Sequence, residues 1–306
     1  MKKKNNKKND DLGRSHHNNT SHREAPRLEI EIVTLSRQGG RTYNEDVHGH
    51  WHDERYVACL VADGAGGHGG GDVAAATART SMLGGFSAAP GLDEFTLRTL
   101  VEQANRDVVA RQAEGGKLAG MRSTVVFAAI DLENQALAWV HSGDSRAYLF
   151  RGGAIVARTT DHSLVQQMVA GGMLDEEGAR LHPQRNMLLS ALGSIEEAPD
   201  IAVSDRMRLV SGDVLLLCSD GVWEPLGDEC LVDTLHASRT PSQWTELLDT
   251  QIKARAKPGH DNYTALTLWV IADDIDDATR LMPALEEVTM PAPINEPAAA
   301  PDKPAD

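Results

Sequence analysis

The stretch VACLVADG, residues 57–64, sets the pattern on which the fold of this chain depends. Six apolar residues follow one another without interruption, and an aspartate and a glycine end the run. The stretch VLLLCSDG, residues 214–221, repeats this arrangement much later in the chain. Apolar runs of this length, bounded by glycine or polar residues, are typical of buried strands. Both stretches therefore predict a buried strand with a carboxylate at its end.

Two further aspartates lie at the ends of predicted strands. Asp144 follows the run at 136–142, and Asp261 precedes the run at 263–271. Oxygen ligands that converge from distant parts of a chain can hold a two-metal hydrolytic centre. Without a His or Cys partner, such carboxylates favour Mg²⁺ or Mn²⁺ over zinc. Asp-Gly is also a favoured hairpin turn, so a turn is the better interpretation of any single aspartate. Only the set of them favours a metal centre.

The order of the predicted elements indicates the fold class. Strands come in clusters, with helices between the clusters, and the segment between 161 and 193 is polar and helical in pattern. This order favours antiparallel sheets covered by helices, an α+β fold, over a doubly wound parallel sheet. Strands are expected at 28–35, 56–62, 123–131, 136–142, 146–151, 200–209, 213–218 and 262–271, and helices at 72–83, 92–113, 229–237 and 241–255.

The composition is that of a globular chain with a sizeable core. Of its 306 residues, 41% are hydrophobic and 25% are charged. No apolar stretch reaches the length of about 18 residues that a membrane span needs. The basic N-terminus lacks the apolar segment of a secretory signal. The three cysteines are far apart and form no disulfide or zinc pattern, so we expect a cytoplasmic protein.

Charge divides the chain into a body and two tails. Residues 1–27 carry eight Lys or Arg against three Asp or Glu, whereas the whole chain carries 30 against 45. We expect 1–27 to be a disordered basic tail, 28–275 the folded domain, and 276–306 an acidic and then Pro- and Ala-rich tail. The acidic body repels nucleic acid, so nucleic acid is not an expected partner.

The glycine-rich loop GAGGHG, residues 64–69, fits the template of a dinucleotide-binding loop. Two features count against that function. Asp63 would place a carboxylate where the pyrophosphate lies, and the acidic residue expected about 20 positions further on is missing. The glycines are better explained as letting backbone carbonyls and a carboxylate approach a metal ion closely.

Seven short motifs give the chain a resemblance to a known family. They are RTYNED (41–46), DGAGGH (63–68), GDSRAY (143–148), TDHSL (160–164), HPQRN (182–186), SDG (219–221) and DNYT (261–264). Taken in this order, they resemble the metal-dependent protein phosphatases (protein phosphatase 2C), in particular the bacterial branch. The resemblance runs from about Ser36 to Val270. It implies a four-layer α-β-β-α sandwich of two antiparallel sheets flanked by helices, and hydrolysis of phosphoserine and phosphothreonine in proteins.

The resemblance also implies a role for each aspartate in a centre of two Mn²⁺ or Mg²⁺ ions that activates a bridging water. Asp63 matches the carboxylate that bridges the two ions, and Gly64 the residue whose carbonyl binds the second. The matches for the other ligands of the first ion are Asp220 and Asp261. Asp46 matches an acidic residue that acts through metal-bound waters.

Two more residues acquire roles in the same way. Asp144 matches a ligand that, together with Asp220, holds a weaker third ion in bacterial members. Arg41 matches the arginine that clamps the substrate phosphate. The expected partners are phosphorylated proteins, a Ser/Thr kinase and its substrates, and we expect a monomer. The alternative is a non-catalytic relative that binds phosphoproteins; loss of a ligand aspartate would indicate it, and here all are present.

The chain departs from the family pattern at two places. Ala65 stands where many members carry a histidine proposed as general acid; His68 is nearby and is as well explained by loop packing. Residues 120–124 read GMRST where the family usually has GMGTT. Arg122 is either solvated or a positive group near the cleft. The GMRST variant is similar to phosphatases linked to type VI secretion, which suggests a role in that system.

Overall fold

A computed structural model describes residues 28–65, 70–195 and 198–272, apart from the side chains of 176, 177, 180 and 272. The predicted tails, 1–27 and 276–306, lie outside the described residues. The strands are β1 (Leu28–Arg37), β2 (Val47–His52), β3 (Tyr56–Ala62), β4 (Gly64–Ala65), β5 (Arg122–Ser123), β6 (Val125–Asp131), β7 (Ala136–Ser142), β8 (Arg146–Arg151), β9 (Ala154–Arg158), β10 (Ala202–Val203), β11 (Met207–Arg208), β12 (Val214–Cys218) and β13 (Tyr263–Ala272). The α-helices are α1 (Gly71–Ala88), α2 (Glu94–Gln112), α3 (Leu164–Ala170), α4 (Glu176–Leu181), α5 (Asp220–His236) and α6 (Pro241–Arg255).

The strands form two antiparallel sheets that face each other. Sheet A has the order β1-β13-β12-β8-β9, and sheet B has the order β10-β7-β6-β3-β2, with β11 also paired to β7. Helices α1 and α2 cover sheet B, and helices α5 and α6 cover sheet A. The predicted α-β-β-α sandwich is confirmed. Among the helices that the structure describes, none has the length and apolar character needed to span a bilayer.

The uninterrupted apolar runs are explained by burial on both faces of a strand. In β3 the odd-numbered residues from 57 to 61 pack between the sheets, and the even-numbered ones from 58 to 62 pack against α1 and α2. In β12 the residues alternate in the same way between the sheet–sheet core and the core beneath α5 and α6. Successive side chains of a strand point to opposite faces, so an inner strand of this sandwich needs apolar residues at every position.

The strand registers carry the predicted carboxylates to one end of the sandwich. In sheet A the last residue of β12, Cys218, pairs with both Arg146 at the start of β8 and Ala265 near the start of β13. In sheet B the last residue of β3, Ala62, pairs with Val47 at the start of β2. The segments that leave the sheets at this end hold Asp46, Asp63, Asp144, Asp220 and Asp261.

Four element predictions need correction. Strands β2 and β9 were not expected: both lie at sheet edges, and no residue of either strand is buried. The strand expected at 200–209 consists of two short pieces, β10 and β11, paired with β7. The helix expected at 229–237 begins at Asp220, and its interior holds Pro225 and the non-helical Gly227. A proline and a glycine argue against helix locally, and Gly227 does interrupt α5, with φ 68° and ψ 168°. The predicted helix therefore matches the part of α5 after this kink, and the part from Asp220 up to the kink was missed.

Candidate active site

A pocket of about 230 Å³ opens at the end of the sandwich where the carboxylates meet. Its walls come from loops that follow strands of both sheets and from the segment before β13. The predicted site residues among its lining are Arg41, Asp63, Gly64, Asp144, Asp220 and Asp261. The lining residues that were not predicted are Glu45, Ala65, Thr124, Asn186, Leu188 and Asn262. Six of the seven residues selected from the sequence therefore share one pocket.

The seventh, Asp46, lies buried beside this group. Its Oδ2 accepts a hydrogen bond of 2.7 Å from the Ser219 hydroxyl. The Ser219 hydroxyl oxygen in turn accepts one of 3.0 Å from the backbone N–H of Thr264. Asp46 is thus tied to the end of sheet A although it precedes a strand of sheet B. Its carboxylate belongs to the same cluster, because the charges of Asp46 and Asp63 act on each other.

The carboxylates lie so close together that they resist ionisation. Burial, followed by the charges of neighbouring aspartates, raises the pKa of Asp63 and of Asp220 well above the usual range. Burial raises the pKa of Asp46 to about 6 and that of Asp144 to about 7. Asp220 opens helix α5, where the helix dipole favours a negative charge, but burial and repulsion outweigh that effect. Such a cluster needs a compensating positive charge to be ionised at neutral pH.

The donors around the pocket suit a hard divalent cation. Among the described residues, Oδ1 of Asp46 and Oδ1 of Asp220 are buried without any hydrogen-bond partner. Buried polar atoms of this kind require an explanation, and a bound ion is a common one. Carboxylate and carbonyl oxygens are the ligands that Mg²⁺ and Mn²⁺ prefer. Within the described ranges no three acidic, His or Cys side chains already meet at one point suited to an ion, so the donors surround the pocket rather than touch.

Arg41 supplies a cation at the pocket wall. Its Nη2 donates to Oδ2 of Asp261 at 2.6 Å, and about half of the Arg41 side chain remains exposed. The ion pair neutralises one carboxylate of the cluster. An arginine at this position can also present its fork of N–H groups to a phosphate.

Two polar residues that the sequence did not single out fix the loop that carries Arg41 and Asp46. Asn262 accepts a hydrogen bond from the N–H of Glu45 at 2.9 Å and donates to the carbonyls of Gln38 and Tyr43 at 2.7 and 3.0 Å. The Glu45 carboxylate accepts from the N–H of Gly71, the first residue of α1, at 3.1 Å. Glu45 therefore caps a helix from a distant loop, for which the sequence holds no local signal.

The glycines after Asp63 and Asp220 serve close packing. A Cβ on Gly64 would lie 2.1 Å from the carbonyl oxygen of Gly71, and one on Gly221 would lie 2.0 Å from the carbonyl oxygen of Asn262. Neither glycine has a positive φ, which a hairpin turn of this sequence would require. The turn interpretation is therefore wrong for Asp63 and Asp220.

Gly221→Ala is expected to lower the free energy of unfolding by about 1–3 kcal/mol, because the added methyl group meets rigid backbone. Gly84→Ala is the matched control. Gly84 lies within α1, where an added Cβ meets nothing within 4 Å, so this change should raise stability by up to about 1 kcal/mol. Urea unfolding of both variants measures the difference. Equal effects of the two substitutions would contradict the packing role of Gly221.

A buried ion pair supports Asp144. Arg146 donates from Nε and Nη2 to the two oxygens of Asp161 at 2.8 and 2.7 Å. Its guanidinium lies 3.5 Å from the ring centre of Trp223, and the indole N–H of Trp223 donates to the carbonyl of Asp144 at 3.0 Å. Both charged residues belong to motifs quoted from the sequence, but their pairing was not foreseen because 15 residues separate them.

Two stacked histidines lie behind the same loop. The rings of His141 and His162 are 4.7 Å apart, and Nδ1 of His162 accepts from the N–H of Gly143 at 3.3 Å. His141 is buried, its Nε2 contacts the carbonyl of Thr160 at 2.8 Å, and its Nδ1 has no partner among the described residues. Burial lowers the pKa of His141 to about 4. The folded protein therefore holds this ring neutral.

The low pKa of His141 predicts an acid-sensitive contribution to stability. As pH falls from about 6.5, where histidine usually titrates, the unfolded chain gains a proton that the folded protein does not bind until pH 4 or so. The contribution of His141 is therefore complete above about pH 6.5 and is lost as pH falls towards about 4, by roughly 3 kcal/mol.

His141→Phe keeps the ring stacking and removes the titrating group, so its free energy of unfolding should fall less steeply below pH 6.5 than that of the wild type. His52→Gln, at an exposed histidine of β2, is the control and should keep the wild-type slope. Unfolding in urea at several pH values tests this, and a His141→Phe slope equal to that of the wild type would contradict the role of His141.

Three other residues were considered from the sequence: Ala65, His68 and Arg122. Ala65 does line the pocket. His68 lies outside the described residues. Arg122 is exposed on β5, directly opposite Ala65.

Comparison with known proteins agrees with this geometry. The family model described as Protein phosphatase 2C matches residues 36–259. The chain is 33% identical over 232 residues to the serine/threonine phosphatase stp of Listeria monocytogenes, covering 74% of this chain and 90% of that protein. It is 32% identical over 249 residues to the serine/threonine protein phosphatase PstP of Mycobacterium tuberculosis, covering 80% of this chain. The matched region spans only 46% of the mycobacterial protein.

Solved structures have the same fold. The catalytic domain of PstP in complex with two manganese ions superposes with a TM-score of 0.65 at 29% identity, covering 80% of this chain and 99% of that one. PppA, described as a key regulatory component of the type VI secretion system in Pseudomonas aeruginosa, superposes with a TM-score of 0.64 at 29% identity. That match covers 79% of this chain and 98% of PppA.

Proposed function

The chain belongs to the protein phosphatase 2C family, and on that premise we propose that it hydrolyses phosphoserine and phosphothreonine esters in proteins. The observation that carries the proposal is the pocket of clustered carboxylates, in which buried oxygens of Asp46 and Asp220 lack partners among the described residues. A protein that only binds phosphoproteins has no need to crowd mutually repelling carboxylates around a cavity. A hydrolase that uses divalent cations does.

The proposed ligands are the residues selected from the sequence. Asp63 would serve both of two Mn²⁺ or Mg²⁺ ions, and the carbonyl of Gly64 would serve the second. The remaining donors are Asp220 and Asp261, with Asp46 acting through water. When bound, the ions would supply positive charge to the phosphate and lower the pKa of a water molecule towards neutrality. The manganese complex of PstP supports this choice of metal.

The other residues of the pocket bind and orient the substrate. Nη2 of Arg41 donates to Oδ2 of Asp261 at 2.6 Å. When the Asp261 carboxylate is bound to an ion instead, the Arg41 guanidinium can bind two phosphate oxygens. Asp144 extends the acidic wall on the far side, where we propose that it holds a weaker third ion together with Asp220. Asn262 and Glu45 keep the Arg41 loop in place through the hydrogen bonds described above.

Release of inorganic phosphate tests the activity. We expect the purified protein to cleave p-nitrophenyl phosphate and a phosphothreonine peptide with Mn²⁺ present, to stop when EDTA is added, and to recover when Mn²⁺ is restored in excess. If neither substrate is cleaved at any Mn²⁺ or Mg²⁺ concentration, the enzyme proposal fails. The non-catalytic alternative would then predict binding of the phosphopeptide without turnover.

The cellular setting is proposed on less direct grounds. A Ser/Thr kinase and its substrates are the proposed partners, since an enzyme of this activity reverses a kinase. The described cysteines, Cys59, Cys218 and Cys230, are free thiols, which suits a reducing cytoplasm. We propose that the protein acts as a monomer.

A role in regulating type VI secretion is the most specific setting that we propose. It rests on the similarity to PppA and on the GMRST variant at 120–124. Deletion of the gene in its host, followed by measurement of type VI effector release, tests it. Unchanged release in the deletion strain would dismiss this role and leave the phosphatase activity unaffected.

A further inference from the structure

Arg122 lies at the rim of the pocket. Strand β5 pairs with β4 so that Arg122 stands directly opposite Ala65, and Ala65 lines the pocket. Directly opposed residues of an antiparallel pair project on the same face, with Cβ atoms about 5 Å apart. Thr124, two residues further along the extended chain, also lines the pocket. Both relations place the Arg122 side chain on the pocket side of β5.

The Arg122 guanidinium has no acidic partner among the residues that the structure describes. Its Nη1 donates to the hydroxyl of Ser194 at 2.8 Å. Arg41 and Arg185, which also lie at or beside the pocket, are paired with Asp261 and Glu224. Within the described ranges, Arg122 is therefore a positive charge at the mouth of an acidic site. A hydrogen bond holds its guanidinium in position, but no acidic side chain neutralises it.

This position suits recognition of a second negative group. The phosphorylated residue has to reach a pocket walled by carboxylates, so flanking acidic groups of a substrate are repelled unless a cation faces them. A guanidinium presents a planar fork of donors that matches carboxylate and phosphate oxygens. The Ser194 hydroxyl fixes the orientation of that fork without using its charge.

We propose that Arg122 is a specificity-determining residue that binds a second anionic side chain of the substrate, a carboxylate or a phosphate, beside the phosphate that is hydrolysed. The inference rests on the proposed phosphatase function. It makes the preferred substrate class a phosphoprotein segment that carries an acidic or second phosphorylated residue near the target. Arg122 itself takes no part in bond cleavage.

The test compares peptides that differ in one side chain. A phosphothreonine peptide is made with Glu, Gln or a second phosphothreonine scanned over the flanking positions, and p-nitrophenyl phosphate serves as a substrate without flanking groups. The variants are Arg122→Ala, Arg122→Lys and Ser194→Ala, with Arg239→Ala as the control at an exposed arginine between α5 and α6. Steady-state kcat and KM are measured with Mn²⁺ at low and high salt.

We expect Arg122→Ala to lower kcat/KM for the best acidic peptide by roughly tenfold, mainly through KM. The Gln peptide and p-nitrophenyl phosphate should be unaffected, and Arg122→Lys should keep part of the preference. High salt should reduce the difference in kcat/KM between the wild type and Arg122→Ala on the acidic peptide. Comparison of the Glu and phosphothreonine arms decides which anion is preferred.

Two outcomes would overturn the inference. Equal losses for all substrates would make Arg122 structural. No loss in Arg122→Ala for any peptide would make it merely a solvated residue. Wild-type turnover of p-nitrophenyl phosphate with Mn²⁺ separates these results from failure of the phosphatase proposal, in which no substrate is cleaved.

Discussion

Asp63→Asn and Asp220→Asn are each expected to lower kcat/KM by about 10³-fold or more, equivalent to about 4 kcal/mol of barrier, while raising the stability of the metal-free protein. The loss of activity and the gain in stability have the same cause. Each carboxylate is buried among others, so that its pKa is raised well above the usual range. Removing one charge relieves repulsion in the absence of a cation, and the same change removes a ligand that a cation would need.

Thermal unfolding with and without Mn²⁺ measures the predicted change in stability. In the wild type, Mn²⁺ should raise Tm, because a ligand that binds only the folded state stabilises it. In Asp63→Asn the rise should be small or absent, although Tm in EDTA is higher than that of the wild type. Asp233→Asn, at an exposed residue of α5, is the control and should behave as the wild type. Full activity in Asp63→Asn would show that the metal centre has been assigned wrongly.

Arg146→Ala is expected to cost about 3–5 kcal/mol of stability, since it leaves the buried Asp161 carboxylate without its partner. The Tyr148 hydroxyl, which accepts from Arg146 Nη1 at 3.0 Å, also loses its partner, and Trp223 loses the stacked guanidinium. At roughly 2–4 °C per kcal/mol for a domain of this size, the loss should be plain in Tm.

The double variant Arg146→Met with Asp161→Leu distinguishes the pair from general damage. Replacing both charges by apolar groups removes the unpaired carboxylate, so most of the lost stability should return. Arg98→Ala is the control, because Arg98 and Glu94 form an exposed ion pair one helical turn apart and such pairs contribute about 0.5 kcal/mol or less. If the double variant is less stable than Arg146→Ala alone, the unpaired charge is not the cause.

Much of the fold could be predicted because the inner strands are buried on both faces. The runs at 57–62 and 214–218 became β3 and β12 almost residue for residue. The edge strand β2 has no such signature, because none of its residues is buried. The first part of α5 was missed because Pro225 lies within it and opposes helix locally, whereas the break that Gly227 predicts is present as a kink.

The residues of the candidate site likewise divide into those that could be selected from the sequence and those that could not. Four of the aspartates could be selected because each stands beside one end of an apolar run, whereas Asp46 was selected through the resemblance alone. The order of the motifs supplied a role for each, which stays a prediction. The groups that hold them in place could not be selected. Asn262 and Glu45 act across 217 and 26 residues of chain, and Arg146 meets Asp161 only when β8 and the segment after β9 are folded together.

The sequence by itself determined which strands are buried, which residues carry the negative charge, and to which family the chain is similar. These properties are local or follow from order along the chain. Only the tertiary structure decided that four aspartates line one pocket with a fifth, Asp46, buried beside them, and that one oxygen each of Asp46 and Asp220 lacks a partner among the described residues. It also decided that the glycines beside Asp63 and Asp220 are there for close packing, and that Arg122 stands opposite Ala65 of the pocket wall. Strand register and packing across the sandwich set these relations, and neither is encoded in any single stretch of the chain.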